Sequence, residues 1–251
     1  MEIQIVRKNQ QASGQFNGGE ILENKPIGFP REGGVLQPYS NLFYWAHAWS
    51  DDGSTIGLHP HQGFEIMSFV LKGSIAHFDT AGNEWKTLET GAAQIIRSGN
   101  GISHSERLNP GAQMFQIWLD PNLEKTLNMA ASYDDYPNQD FPVEQKKGML
   151  IKTFKGNGAP LKMESPEIEI LQIQLEKGSG EIELRSNQIH SFYIIEGEVE
   201  LTDRGEKLEK DDFFIVKNSE KLNVQAKDPS TIFLLSSPQK LDYKTYAERM
   251  R

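Results

Sequence analysis

The chain of 251 residues contains two copies of one β unit, and this internal repeat limits its fold more than any other feature. Residues 69–76 (FVLKGSIA) resemble residues 193–200 (YIIEGEVE), at an offset of 124. Residues 88–96 (LETGAAQII) match residues 208–216 (LEKDDFFIV), at an offset of 120. The hairpin of the second copy is therefore four residues shorter. Two copies of one unit predict two similar domains.

Short alternating or apolar runs, separated by Gly, Asp and Asn, dominate both halves of the chain. Residues 66–71, 168–175 and 231–235 are examples, and they have the length and composition of strands. Strands spaced in this way predict an all-β fold, with a sandwich or a barrel in each domain.

Helical periodicity is scarce, and it is clearest at residues 243–250 and weaker at residues 123–131. A polar stretch with two prolines, residues 134–147, is the predicted connection between the two copies. We therefore expect an N-terminal domain at residues 1–140 and a C-terminal domain at residues 141–251.

The composition excludes several classes of function. The net charge of −9 argues against direct binding to nucleic acid or to an anionic membrane, which needs a basic surface. There are no cysteines, so a bound metal must be held by nitrogen and oxygen atoms. The N-terminus lacks the apolar run of a signal peptide, and no stretch approaches the ~18 apolar residues of a membrane span. We expect a cytoplasmic protein.

Two short motifs have the form ligand-x-ligand: His59-Pro60-His61 and His104-Ser105-Glu106. Side chains at positions i and i+2 of a strand point to the same face of the sheet. If these two strands face each other inside a barrel, three imidazoles and one carboxylate converge. Such a set suits a divalent transition metal and can leave coordination positions open for a small molecule.

The second copy of the repeat serves as an internal control. The positions that match the first motif are Glu183 and Arg185, and those that match the second are Val224 and Ala226. The second copy has one histidine, His190, to which we assign a structural role. We therefore predict one metal per chain, in the N-terminal half.

These motifs resemble the cupin superfamily, and more closely its pirin family of proteins with two cupin domains. Residues 59–65 read HPHQGFE, as in the first pirin motif, and residues 99–106 read GNGISHSE, similar to the second. The broader cupin spacing is present at Gly53, His59, His61, Glu65 and Gly73. The resemblance is strong over residues 40–120. It implies an all-β fold of two tandem cupin domains, each a double-stranded β-helix (jelly-roll) barrel.

The resemblance implies His59, His61, His104 and Glu106 as ligands of one divalent transition metal per chain. Fe²⁺ is the preferred ion, with Zn, Mn, Ni, Cu and Co as alternatives. Glu65 matches the carboxylate that binds metal in many other cupins. Here it is either a fifth ligand or, as we prefer, an outer acceptor that holds an imidazole N–H or a purely structural residue.

Some pirins are described as quercetin 2,3-dioxygenases, so the resemblance implies a metal-dependent dioxygenase with a small planar aromatic substrate. Glu106 is then the candidate general base for the flavonol 3-hydroxyl. The main alternative is a metal- or redox-responsive regulatory protein that acts on a protein partner without turnover. An isomerase or a storage cupin is a third possibility, because a fold does not dictate a reaction.

The remaining candidates have weaker signals. His47 and His77 lie outside the motifs, and His77 precedes a hairpin turn, which predicts a surface or strand-edge position for it. Six aromatic residues flank the motifs, and we expect one or two of them to line a substrate cavity and the others to lie in the core. They are Phe43, Tyr44, Trp45, Phe64, Phe69 and Trp118.

Overall fold

The computed structural model describes residues 1–29 and 31–250, and strands dominate it. The strands of the first half, in chain order, are β1 (Glu2–Val6), β2 (Ala12–Phe16), β3 (Ile21–Ile27), β4 (Leu42–Ser50), β5 (Ser54–His61), β6 (Glu65–Lys72), β7 (Ser74–Asp79), β8 (Trp85–Glu89), β9 (Ala93–Arg97), β10 (Ile102–Leu108), β11 (Ala112–Leu119) and β12 (Ser132–Tyr136). Those of the second half are β13 (Val143–Lys146), β14 (Met149–Lys155), β15 (Glu169–Leu175), β16 (Gly178–Glu183), β17 (Gln188–Glu196), β18 (Glu198–Leu201), β19 (Glu206–Glu209), β20 (Phe213–Lys217), β21 (Lys221–Ala226) and β22 (Ser230–Pro238). The predicted all-β fold is confirmed.

Two short helices fall in the segments where the sequence predicts helical structure. Helix α1 spans Leu123–Thr126, and helix α2 spans Tyr246–Arg249. Thr245 and Glu248 form a capping box at the start of α2. Across the described ranges, no helix has the length and apolarity needed to cross a membrane.

The chain divides into two compact units. The histidine unit, named after the three motif histidines, comprises Gln11–Asp140, Leu161–Pro166 and Leu241–Arg251. The apolar unit comprises the remainder, Met1–Gln10, Phe141–Pro160 and Glu167–Lys240. The predicted domain boundary between residues 140 and 141 remains a prediction from the sequence. The two units differ from the predicted domains at both chain ends and at Leu161–Pro166.

Strand pairing explains why the N-terminal strand is part of the apolar unit and what structure residues 134–147 adopt. Strand β1 pairs with β20, and its alternating Ile3 and Ile5 pack against the apolar core of that unit. The polar stretch at residues 134–147 is not simply a connection, because its two ends belong to β12 and β13. The two units divide after Asp140, inside this stretch, so only its ends differ from the predicted connection. Charged residues of an edge strand read like a linker in the sequence.

Each unit contains one seven-stranded and one four-stranded antiparallel sheet. In the histidine unit the strand orders are β12-β9-β6-β11-β4-β3-β2 and β5-β10-β7-β8. In the apolar unit they are β1-β20-β17-β22-β15-β14-β13 and β16-β21-β18-β19. The strand orders of the histidine unit match those of the apolar unit, strand for strand, as the internal repeat predicts. The four-stranded sheet of the histidine unit carries both ligand motifs, on β5 and β10.

Candidate metal centre

The antiparallel pairing of β5 with β10 brings the three motif histidines together. His104 lies directly opposite His59, and Ile102 lies opposite His61. The ring centroid of His59 lies 4.4 Å from that of His104 and 4.8 Å from that of His61, and the third separation is 4.7 Å. One candidate ligand nitrogen from each ring lies within 4.8 Å of the other two. The predicted convergence of these histidines is thus present in the fold.

The hydrogen bonds of these rings leave nitrogen atoms available to a metal. His59 Nδ1 lies 2.8 Å from the Gly57 carbonyl oxygen, which can only accept, so Nδ1 carries the hydrogen and Nε2 keeps a free lone pair. His61 Nε2 and both ring nitrogens of His104 are buried and have no hydrogen-bond partner among the described residues. Buried polar atoms rarely stay unpartnered, so this donor set fits a divalent metal ion.

Burial also keeps two of the imidazoles uncharged. Desolvation lowers the pKa of His61 to about 3, aided by His104 and His59 and opposed by the charge of Glu106. Desolvation likewise lowers the pKa of His104 to about 3, with His59 and His77 acting in the same direction. A neutral imidazole is the form that binds metal.

Glu106 is buried on the same strand as His104, but its carboxylate is not part of the close cluster of ligand atoms. Ser68 Oγ donates to Glu106 Oε1 over 2.9 Å, and Gln116 Nε2 donates to Oε2. Gln116 is itself oriented by Trp118, whose indole N–H donates to Gln116 Oε1 over 3.1 Å. The two residues of the flanking sheet, Ser68 and Gln116, were not predicted from the sequence.

Glu65 is held by a different part of the chain. Its carboxylate accepts hydrogen bonds from the Glu164 N–H (2.6 Å), the Ser165 N–H (2.9 Å) and the Ser165 hydroxyl (2.5 Å). Burial raises the pKa of Glu65, and these hydrogen bonds oppose the rise. Its bonds therefore anchor the segment Leu161–Pro166 to the histidine unit, which is the structural role left open by the sequence.

The predicted surface or strand-edge position of His77 was wrong. Its side chain is 1% exposed, because β7 lies between β10 and β8, and it is therefore neither at the surface nor at an edge. His77 Nε2 lies 3.0 Å from Asp79 Oδ2, and the His77 ring lies 5.6 Å from that of His104. Burial alone would raise the pKa of Asp79, but hydrogen bonds from Gly82, His77 and Ala81 lower it.

An aromatic cavity of about 550 Å³ adjoins the histidine cluster. Trp118 joins the two, since it lines the cavity and its ring packs edge-on against His61 at 4.8 Å. The aromatic lining consists of Phe29, Phe43, Phe64, Trp118 and Tyr246. Trp45 and Phe69 are fully buried, as expected for core residues. Three of the six flanking aromatics therefore line the cavity, one more than expected.

Tyr246 could not be found from the sequence, because it lies more than 120 residues after the other aromatic residues of the lining. Asp120 holds this C-terminal segment in place: the Tyr246 N–H donates to its carboxylate, and the Tyr243 hydroxyl donates to its carbonyl oxygen over 2.7 Å. Burial raises the pKa of Asp120 to about 6, against the effects of the Tyr246 hydrogen bond and Arg249.

Strand register corrects the predicted counterparts of the ligands in the apolar unit. His77 pairs with Glu106, whereas Leu201, at the matching position of the repeat, pairs with Val224. Glu106 therefore corresponds to Val224, and the connection before β21 is two residues shorter than the one before β10. Each of the four predicted counterparts is displaced from the true one by one or two residues: Glu183 for His59, Arg185 for His61, Val224 for His104 and Ala226 for Glu106.

The true counterparts are all apolar. His104 corresponds to Leu222, which pairs with Ile182, the counterpart of His59, and His61 corresponds to Leu184. Ile182, Leu184, Leu222 and Val224 all belong to the hydrophobic core of the apolar unit. His190 bonds through both ring nitrogens, to the Ser236 hydroxyl (2.8 Å) and the Arg185 carbonyl oxygen (2.9 Å).

An all-β chain with two related units, one of them with three convergent imidazoles, defines a cupin-type protein. The pirin family model matches residues 37–119. A pirin-like protein from Solanum lycopersicum is 32% identical over 201 residues, which cover 77% of this chain and 67% of the relative. The chain belongs to the pirin family.

Two further comparisons agree with the assignment of the chain to this family. The quercetin 2,3-dioxygenase of Escherichia coli K12 is 26% identical over 191 residues, covering 74% of this chain and 78% of the relative. The bacterial pirin YhhW in complex with nickel(II), from Escherichia coli, superimposes with a TM-score of 0.77 at 20% identity, covering 95% of this chain and 100% of YhhW. The likeness confirms the predicted fold of two tandem cupin domains.

Proposed function

We propose that this pirin is a metal-dependent dioxygenase that acts on flavonols of the quercetin type. The observation that carries the proposal is the contact between a cluster of three imidazoles and an aromatic cavity of about 550 Å³, through Trp118. Sites for small molecules are typically concave and apolar, with few polar groups that orient the ligand. Quercetin is planar and aromatic, and its adjacent hydroxyl and carbonyl oxygens suit a metal.

We assign the metal to His59, His61 and His104, with Glu106 as the fourth ligand. Three neutral imidazoles and one carboxylate would leave a divalent ion with a net positive charge, which favours an anionic chelating substrate. The similar pirin YhhW was solved in complex with nickel(II), and imidazole and carboxylate ligands also suit Fe²⁺, which remains our preferred ion. One divalent transition metal per chain is therefore the cofactor of the proposal.

The metal would supply Lewis-acid chemistry, which lowers the pKa of the flavonol 3-hydroxyl. The residues of the chain do the rest. In the proposal Glu106, once detached from the metal, takes the hydroxyl proton on a carboxylate oxygen, and hydrogen bonds from Ser68 and Gln116 support the orientation of that carboxylate. Phe43, Phe64 and Trp118 would pack against the aromatic rings and keep water from them.

The test is oxygen uptake with quercetin after anaerobic loading with Fe²⁺. We expect uptake and ring cleavage with the wild-type protein and with a His190→Gln variant, because His190 lies in the apolar unit. We expect neither with His104→Ala. Tight binding of one metal per chain without uptake would refute the dioxygenase and favour the regulatory alternative. The cytoplasmic location remains a prediction from the sequence.

A further inference from the structure

We propose that Asp79 and His77 form a pair that positions His104 for metal binding. In this arrangement Asp79 determines which nitrogen of His77 carries the hydrogen, and His77 Nδ1 accepts the ring N–H of His104. The inference rests on the proposed metal site, but it does not depend on dioxygenase activity. His77 and Asp79 are positioning residues, since neither belongs to the cluster of ligand atoms.

The hydrogen bonds of Asp79 determine the tautomer of His77. The backbone N–H groups of Ala81 and Gly82 both donate to Asp79 Oδ1, each over 2.7 Å, and so hold the carboxylate in one orientation. Its Oδ2 then faces His77 Nε2 at 3.0 Å. An ionised carboxylate can only accept, so Nε2 of His77 carries the hydrogen, and in the neutral ring Nδ1 is an acceptor.

His104 needs an acceptor of this kind. Both of its ring nitrogens are buried and lack a partner within residues 1–29 and 31–250. A metal would occupy one of them, and the other would then carry the hydrogen. Histidine ligands almost always donate this second N–H to an acceptor, which fixes the ring and raises its basicity.

His77 Nδ1 is a suitable acceptor, because it too is buried and unpartnered within the described ranges. Its strand β7 lies beside β10, with Asp79 opposite His104 and His77 opposite Glu106. The His77 and His104 centroids lie 5.6 Å apart with the rings tilted by 45°. Two imidazoles joined by one N–H···N hydrogen bond have centroids slightly closer than this, so the bond requires the two rings to turn toward each other and to approach by a few tenths of an ångström.

The apolar unit supports the assignment. Its counterpart of Asp79 is Asp203, at the same turn of the repeat, but Leu201 replaces His77 and Leu222 replaces His104. Without a histidine to hold, Asp203 instead accepts from Asn223 Nδ2, at 3.2 Å to each carboxylate oxygen. The apolar unit therefore lacks the positioning histidine together with the ligands, and Asp203 is a matched control position.

The decisive variant is Asp79→Asn. Because two N–H groups converge on Oδ1, the amide oxygen of the variant must occupy that place, and its NH₂ group must face His77 Nε2. Nε2 then has to accept, which moves the hydrogen of His77 to Nδ1 and directs it at His104. The variant thus keeps the volume and the turn while it reverses the tautomer of His77.

The experiment is a Co²⁺ titration of the full chain, competed with a chelator, with the visible absorption of bound Co²⁺ as the readout. We expect one ion per chain, with affinity about 10- to 100-fold weaker for Asp79→Asn and for His77→Phe. Asp203→Asn should bind as wild type. In the His77→Phe background, Asp79→Asn should have no further effect, because Asp79 acts through His77. The melting temperature of each metal-free variant checks its fold.

Unchanged affinity in a folded Asp79→Asn variant would overturn the inference and leave the metal site intact. Additive losses in the double variant would also overturn it, since they would make Asp79 an independent structural residue. Complete loss of Co²⁺ binding in His77→Phe would overturn it by making His77 a ligand. A wild-type chain that binds no Co²⁺ would refute the metal site and the inference together, whereas binding without quercetin turnover would refute only the dioxygenase.

Discussion

The histidine unit and the apolar unit share one arrangement of strands, but the side chains at four matching positions are polar in the first and apolar in the second. Where the histidine unit has His59, His61, His104 and Glu106, the apolar unit has Ile182, Leu184, Leu222 and Val224, in register. The apolar side chains pack into the main core of their unit. The fold therefore does not need polar groups at these positions, and an apolar set builds the same sheets.

The polar set has a cost in stability. A buried donor or acceptor without a partner destabilises a protein by about 1–3 kcal/mol, and His61 and His104 together carry three such atoms in the part of the chain that is described. The histidine unit has its own hydrophobic cluster, around Val70, Leu108 and Met114, and this cluster stabilises the fold of the unit. Groups that cost stability and are not needed for the fold are best explained by function.

The largest expected effect is the loss of metal from the histidine unit. His59→Ala or His104→Ala should weaken metal binding by more than about 100-fold, because loss of a ligand should exceed the 10- to 100-fold effect of an outer hydrogen-bond partner. Elemental analysis after dialysis measures the metal content. One metal per chain in both variants would contradict the ligand assignment and with it the contrast between the units.

The second-largest effect is expected when the residues at one pair of matching positions, His104 and Leu222, are exchanged between the units. Leu222→His should lower the free energy of unfolding of the metal-free protein by about 2–4 kcal/mol, because it buries an unpartnered imidazole in an apolar core. His104→Leu should instead raise it by about 1 kcal/mol, since it removes two unpartnered nitrogens. Calorimetry of both variants tests this. Destabilisation by His104→Leu would mean that His104 supports the apo fold.

The contribution of Asp120 to the pH dependence of stability should be a smaller effect. Its pKa is about 6 in the folded protein, above the ordinary value of 3.8, so the folded state holds its proton more tightly. The stabilisation that Asp120 contributes should therefore fall as the pH rises from about 4 to 6, by at most about 3 kcal/mol, whereas His61 and His104, whose pKa values are lowered, act in the opposite direction over this range. Hydrogen exchange in residues 241–250 should report the same loosening.

The Asp120→Asn variant should remove only this contribution, because an amide can still accept the Tyr246 N–H without titrating. The difference in free energy of unfolding between the wild type and the variant should therefore change as the pH rises from about 4 to 6, in favour of the variant. Glu124→Gln is the control: it breaks the 2.7 Å ion pair with Arg249 in the same segment, at the surface, and should leave the slope intact. Parallel pH profiles for the wild type and Asp120→Asn would contradict the assignment to Asp120.

The smallest expected effect is that of His190 on metal content, which should be none. His190→Gln should lower the free energy of unfolding by about 1 kcal/mol, since it disturbs the hydrogen bonds to Ser236 and Arg185. The metal content should stay at that of the wild type. Loss of metal here would show that the apolar unit contributes to the site.

Local patterns were enough to predict much of this protein. Period-two alternation predicted strands, because side chains alternate across a sheet, and the repeat predicted two units. The ligand-x-ligand spacing of His59 with His61 predicted their convergence for the same reason. Repeat offsets were less reliable: two residues missing before β21 shifted the counterparts of His104 and Glu106, because a change in loop length is invisible until the strands pair.

The sequence by itself determined the strands, the two-unit repeat and the motif histidines, since each depends on residues close together in the chain. The tertiary structure alone decided which strands became neighbours. That pairing buried His77 beside His104, placed Ser68 and Gln116 on Glu106, and brought Tyr246 to the aromatic cavity. These contacts join residues far apart in the chain, and the burial that gives them their chemistry exists only once the sheets have packed.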